Sequence, residues 1–113
     1  MKRGDVVVAV AAGDYGKPRP AIVVQDTSTL GLIESVVVVP LTSTLVADIP
    51  FRPEFEPQPE TGLAHRSQAV NDKIAAIRID RKRQRIGHLP PSHMRQLDAA
   101  LLLILGLELR SQP

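Results

Sequence analysis

Val6–Ala11 is an uninterrupted run of small and β-branched apolar residues. A run without polar alternation predicts a strand covered on both faces, or one lining a small barrel. Gly13-Asp14-Tyr15-Gly16-Lys17-Pro18 is dense in turn formers and breaks the pattern. Pro20–Gln25, built on Ala21-Ile22-Val23-Val24, predicts a second strand, and Asp26–Gly31 a polar loop. Ser35–Val39 predicts a third strand, after which Pro40, with no N–H to donate, is expected at a strand end, a bulge or an edge. Ile49–Arg52 predicts a short fourth strand, and Pro53–Thr61, with three prolines and three glutamates, a loop. Ser67–Ile79 is mostly strand-like, with Asn71-Asp72-Lys73 as a bulge, and Gln84–Leu89 closes the strand series.

The last element predicts a helix. Pro91 suits its first turn and Gly106 its C-terminal cap. Met94, Leu97, Leu101 and Ile104 recur at helical spacing on one face. Leu102, Leu103 and Leu105 widen the stripe beyond what one packing surface needs, so a second sheet surface or a second subunit is expected over the excess. The sum is mainly β, or α+β: a small twisted barrel or half-barrel with a C-terminal α-helix.

At 113 residues the chain is expected to form one domain, residues 1–113. The aromatic residues are Phe51, Phe55 and Tyr15, with no Trp, so the core must be aliphatic. A domain of this size has a thin margin of burial, which dimerisation would widen. The absence of cysteine excludes a disulfide framework, a Cys-ligated zinc site and a Cys nucleophile, and fits a reducing cytosol. Lys2, Arg3 and the apolar run after them mimic a secretory leader, but Asp5 interrupts the pattern. Ala99–Leu107 is about half of the ~20 residues a bilayer span requires. A cytoplasmic protein without a membrane segment is the expectation.

Charge is unevenly distributed. Residues 1–64 hold five basic and eight acidic residues, a net −3, whereas residues 65–113 hold nine basic and four acidic, a net +5. The densest run is Arg81-Lys82-Arg83 with Arg85. Such a lopsided basic half invites a polyanionic partner, although a solvated, charged hairpin accounts for the charge equally well.

The chain carries no glycine-rich phosphate loop and no nucleophile elbow. His88 and His93 form only a loose pair across two prolines, read as surface histidines rather than metal ligands. Gly16-Lys17-Pro18-Arg19-Pro20 is more distinctive. Two prolines bracket Arg19 and stiffen its backbone. Arg19 is then either an ordinary arginine on a surface turn or a guanidinium held in place, with a fork of donors that matches phosphate oxygens. Val39-Pro40-Leu41-Thr42-Ser43-Thr44 places hydroxyls where an apolar strand ends, either as an ordinary hydroxyl turn or aimed at a phosphate.

Taken together, these segments resemble the MazF/PemK family of toxins from toxin–antitoxin modules. The resemblance rests on Arg3-Gly4-Asp5-Val6-Val7, Gly16–Gln25 and Val38–Ser43, then on Thr61-Gly62-Leu63, Ser67–Ile74 and Gln84–Leu89, in this order along nearly the whole chain. It implies a small barrel related to SH3 barrels, working as a homodimer. It implies a metal-independent, cofactor-free, sequence-specific endoribonuclease on single-stranded RNA. In that family the 2′-hydroxyl attacks the adjacent phosphate and leaves 2′,3′-cyclic phosphate and 5′-hydroxyl ends. The family's catalytic arginine and threonine correspond to Arg19 and Thr42.

Internal attack at phosphorus needs charge stabilisation and proton movement, and Arg19 suits the first better than the second. Ser43 is the neighbour expected to share the task of Thr42 or to replace it. Tyr15 is expected either to stack on a base or to pack on the barrel, and Lys17 and Lys73 to contact RNA; Arg52, His65 and Arg66 are weaker candidates. The acidic Pro53–Glu60 loop is expected to lie away from the RNA groove or to exclude unsuitable sequences. A cognate antitoxin with an acidic, partly disordered segment would occupy that groove. Two alternatives stand beside this reading: a gyrase poison like CcdB, whose Trp-Gly-Ile ending this chain lacks, and a non-catalytic RNA- or protein-binding barrel.

Overall fold

The computed structural model of the protein describes residues 1–9, 17–78 and 84–108. The expected Tyr15 contact, the basic residues Arg81, Lys82 and Arg83, and the ends of the predicted Val6–Ala11 and Ser67–Ile79 strand regions (Val10, Ala11, Ile79) lie outside the described residues. Seven strands and one helix are assigned among them: β1 Asp5–Ala9, β2 Arg19–Val23, β3 Ser35–Thr42, β4 Glu54–Phe55, β5 Ser67–Ala69, β6 Ala75–Arg78, β7 Gln84–His88 and α1 Pro91–Leu105. The strands form one antiparallel sheet in the order β4-β5-β3-β2-β1-β7, with β6 also paired to β3. It curls into a half-barrel, followed by a single C-terminal helix, as the hydrophobic pattern predicts.

β3 explains the curl. One edge pairs with β2, while the other is divided between β6, along Ser35–Val38, and β5, along Leu41–Thr42. Pro40 stands inside the strand rather than at its end, at the break between these two partners. Its carbonyl accepts the Val70 N–H at 2.8 Å. In a strand the N–H and C=O of one residue project to the same side, so the donor that Pro40 lacks falls in the gap between β5 and β6. The 3₁₀ turn Asn71–Lys73 fills that gap where a bulge was expected.

Both faces of the central strands are apolar and both are covered. Val6, Ile22, Val39 and Leu41 join Phe55, Leu63, Leu89, Leu97 and Leu101 in the larger core. Val7, Ala21, Val23, Val36 and Val38 form a second cluster on the opposite face. This accounts for the unalternated sequence of β1 to β3.

The helix has the anticipated ends: Pro91 in the first turn, and Gly106 as a left-handed cap at φ 67°. Leu97, Ala100 and Leu101 are buried, whereas Leu103, Leu105 and Leu107 remain exposed. Arg3 ties the helix to the start of β1, with its guanidinium forked onto the Asp98 carboxylate and its Nε donating to the Val24 carbonyl at 2.9 Å. No helix among the described residues is long and apolar enough to cross a membrane.

Two expectations are corrected. Ile49–Arg52 is a turn, closed by the Arg52 N–H on the Ile49 carbonyl at 3.1 Å. The strand lies just beyond it at Glu54–Phe55, inside the presumed loop, because burying Phe55 brings that segment alongside β5. His88 and His93 are not solvated surface histidines: the His88 ring bonds Asp5 at 3.0 Å, and His93 stacks on Phe55 with ring centroids 4.8 Å apart.

Candidate active site

A cleft of about 290 Å³ opens where β1, β2, β3 and β7 meet the connection between β4 and β5. Arg19, Thr42 and Ser43 all line it, with His65, Ser67 and apolar walls that include Leu41, Leu63 and Ile86. Three of the six residues singled out from the sequence are therefore brought together by the fold. Lys17 and Lys73 are exposed and outside the lining, Lys17 just ahead of β2 and Lys73 on the Asn71–Lys73 turn.

Local structure fixes each hydroxyl and the arginine. Arg19 is the first residue of β2, pinned by the Ala9–Arg19 pairing to β1 and by Pro20 after it. Thr42 ends β3 and pairs with Gln68 of β5. The Thr42 Oγ1 accepts the backbone N–H of Thr44 at 3.1 Å, so the hydroxyl proton is left to donate elsewhere. The turn after Thr42 is held from the other side by the buried Gln68 side chain. Its Nε2 donates to the Val46 carbonyl at 2.8 Å and its Oε1 accepts the Val46 N–H at 3.4 Å.

The opposite wall is pressed against β7 backbone to backbone. The His88 N–H of β7 donates to Glu60 O at 2.7 Å, while within the wall the Thr61 N–H closes a turn on Gln58 O at 3.1 Å. Gly62, at φ 68°, and Gly87 allow this approach. Ser67, buried on β5, donates its hydroxyl to the His65 carbonyl at 2.9 Å and so secures the backbone that carries His65.

The electrostatics suit an anion. Among the described lining residues Arg19 supplies the positive charge and none is a carboxylate. Two carboxylates of the acidic loop are engaged outside the lining, since Arg66 pairs with Glu54 at 3.1 Å and with Glu56 at 3.0 Å. Arg52 is likewise committed, through two 2.8 Å bonds to Asp72. Those bonds hold the Asp72 carboxyl below its usual range and raise the Arg52 guanidinium. Of the three weaker candidates only His65 faces the cleft.

At the start of β1, burial works to raise the Asp5 carboxyl. Hydrogen bonds from His88, the Lys2 N–H and Arg85 outweigh it and hold the group below its ordinary value. Among the described residues no group of three or more His, Cys, Asp or Glu is arranged to hold a metal ion.

The PemK-like, MazF-like toxin of type II toxin–antitoxin systems is the family whose model matches residues 2–105. A Mycolicibacterium smegmatis protein named as a probable endoribonuclease MazF is 40% identical over 109 residues, spanning 95% of this chain and 98% of that protein. The chain belongs to the MazF/PemK toxin family. Solved structures share its fold. A mycobacterial endoribonuclease in complex with its cognate antitoxin superimposes at a TM-score of 0.80 and 24% identity, covering 97% of this chain and 99% of that one. The Mycobacterium tuberculosis toxin MazF-mt6 gives 0.77 at 19% identity, covering 93% and 99%. Within this MazF-type fold the cleft lies where β2, β3 and the β4–β5 connection converge.

His65 and Ser67 are the lining residues that the sequence weighed lightly or passed over. The only local signal was a histidine between a turn glycine and a strand. Its place in the same cleft as Arg19 is tied to the Gly62–Ile86 contact, which no local pattern announces.

Proposed function

We propose that this chain is the toxin of a type II toxin–antitoxin module, acting as a sequence-specific endoribonuclease on single-stranded RNA in the cytoplasm. The observation that carries the reading is the convergence of Arg19, Thr42 and Ser43 in one cleft, with no carboxylate among its described lining residues. The whole chain, residues 1–113, works as one catalytic unit. The 2′-hydroxyl attacks the adjacent phosphate, so neither a metal nor an organic cofactor is needed. Arg19 neutralises the charge that builds on the phosphorane oxygens and forks onto two of them. Thr42 donates its free hydroxyl proton to a third oxygen, and Ser43 assists. Lys17 and Lys73 contact the RNA backbone beyond the cleft.

Two protein partners are included in this reading. An antitoxin with an acidic segment would compete for the cleft, as suits a relative solved with its cognate antitoxin. A homodimer gives the exposed Leu103, Leu105 and Leu107 an apolar partner surface. The experiment is incubation with a long unstructured transcript in EDTA, followed by mapping of both new ends. Cleavage at a short recurring sequence with 2′,3′-cyclic phosphate and 5′-hydroxyl ends is the expected result. An intact transcript, or 3′-hydroxyl and 5′-phosphate ends, overturns the reading.

A further inference from the structure

We propose that His65 is the general base that removes the 2′-hydroxyl proton, an inference that rests on the cleavage chemistry proposed above. The reaction needs two things from the protein: donors for the phosphorane oxygens and a group that takes up a proton. The cleft is well supplied with the first. Arg19 is a fork of donors with no acceptor, and its guanidinium does not deprotonate in proteins. The Thr42 oxygen already accepts from the Thr44 N–H at 3.1 Å, which leaves its hydroxyl as a donor. Ser67 spends its own proton on the His65 carbonyl at 2.9 Å.

What remains is the group that accepts a proton. Arg19 and His65 are the only titratable side chains among the described lining residues; β1, β3, β5 and β7 contribute none. Arg66, next in the chain, is paired with Glu54 and Glu56 and is not among the lining residues. Imidazole is the side chain that takes up and releases protons between about pH 5 and 8. His65 is also placed for the task. It lies on the wall fixed by the Gly62 and Gly87 contacts, its carbonyl is anchored by Ser67, and Arg19 and Thr42 line the same cleft.

The step balances. The unprotonated ring nitrogen of His65 takes the proton of the 2′-hydroxyl as the 2′-oxygen forms its bond to phosphorus. The bond from phosphorus to the 5′-oxygen breaks, and the 5′-oxygen departs with the electron pair and takes a proton from water. The imidazolium then returns its proton to solvent.

The test is the single-turnover cleavage rate at saturating transcript from pH 5 to 9, for the wild type, His65→Ala and His65→Gln. The wild-type rate is expected to rise with pH along an acidic limb and then level off. Both variants should lose that limb and fall by about 10²–10⁴-fold, the usual scale of general acid–base catalysis. Added imidazole should restore part of the His65→Ala rate, which a merely misfolded variant would not allow. Variants within about threefold of the wild type, with the limb retained, overturn the assignment while the cleavage chemistry stands. A wild type that leaves no cyclic phosphate ends overturns the chemistry and this role together.

Discussion

Gly62 rests its backbone on the carbonyl of Ile86, so closely that a Cβ added to Gly62 would stand 2.1 Å from that oxygen. The contact is matched one residue along, where a Cβ on Gly87 would meet Thr61 at 2.3 Å. The pair of glycines seats the connection that carries Leu63, Ala64 and His65 against β7, and so shapes one wall of the cleft. Gly62→Ala adds backbone strain at positive φ to a steric overlap with main chain that cannot swing aside. We expect a loss of about 3 kcal/mol, read as a lower midpoint in urea unfolding, and a comparable loss for Gly87→Ala. Changes below about 0.5 kcal/mol would show that the wall does not depend on this contact.

Thr42 is expected to act through its hydroxyl rather than its bulk. Thr42→Val keeps the shape of the strand end but leaves the Thr44 N–H without its acceptor and removes the hydroxyl donor proposed to meet the phosphate. Its cleavage rate should fall by about 10²-fold, on the scale of losing one transition-state hydrogen bond. Thr42→Ser retains both roles and should stay within about tenfold of the wild type. Equal rates for the valine and serine variants would remove the hydroxyl from the mechanism.

The elements visible in the sequence are those whose burial is decided by their own residues. Val6–Ala9, Ala21–Val24 and Val36–Val39 are apolar on both faces, and they form the central strands covered on both faces. Pro91 and Gly106 mark the helix ends by backbone chemistry alone. Glu54–Phe55 escaped notice because two residues carry no period; what makes them a strand is Phe55 entering the core beside β5. Pro40 broke the rule for strand proline only in appearance, since the break between β5 and β6 is invisible until β3 is seen to change partners.

The candidate site was legible to the same degree. Arg19, Thr42 and Ser43 stood out because two strand ends carried unusual chemistry. Arg52 and Arg66 looked available in the sequence but are held by Asp72 and by Glu54 and Glu56. Ion pairing across that much chain is a tertiary fact.

Acid should destabilise the fold through Asp5 and Asp72. Both carboxyls lie below their ordinary value of 3.8 in the folded protein. A folded-state pKa below the unfolded one contributes stability that is present above the unfolded value and lost as pH falls through the folded one. The thermal midpoint is therefore expected to hold above about pH 5 and to decline below about pH 4. Asp72→Asn should flatten part of that decline and, as a partly exposed pair with Arg52, cost about 1 kcal/mol or less at neutral pH. An unchanged acid profile for Asp72→Asn would remove this pair from the acid response.

The central claim is that RNA is cut in the cleft containing Arg19. The most direct measurement is the single-turnover cleavage rate and the binding affinity of Arg19→Ala on the transcript mapped for the wild type. Arg19 is exposed at a strand start, so the variant should stay folded, which its melting curve checks. Its rate should fall by at least about 10²–10³-fold, a larger factor than any loss of affinity, because the guanidinium acts on charge that develops in the transition state. A folded Arg19→Ala that cuts the same sites at the wild-type rate would contradict the account and place the chemistry elsewhere on the molecule.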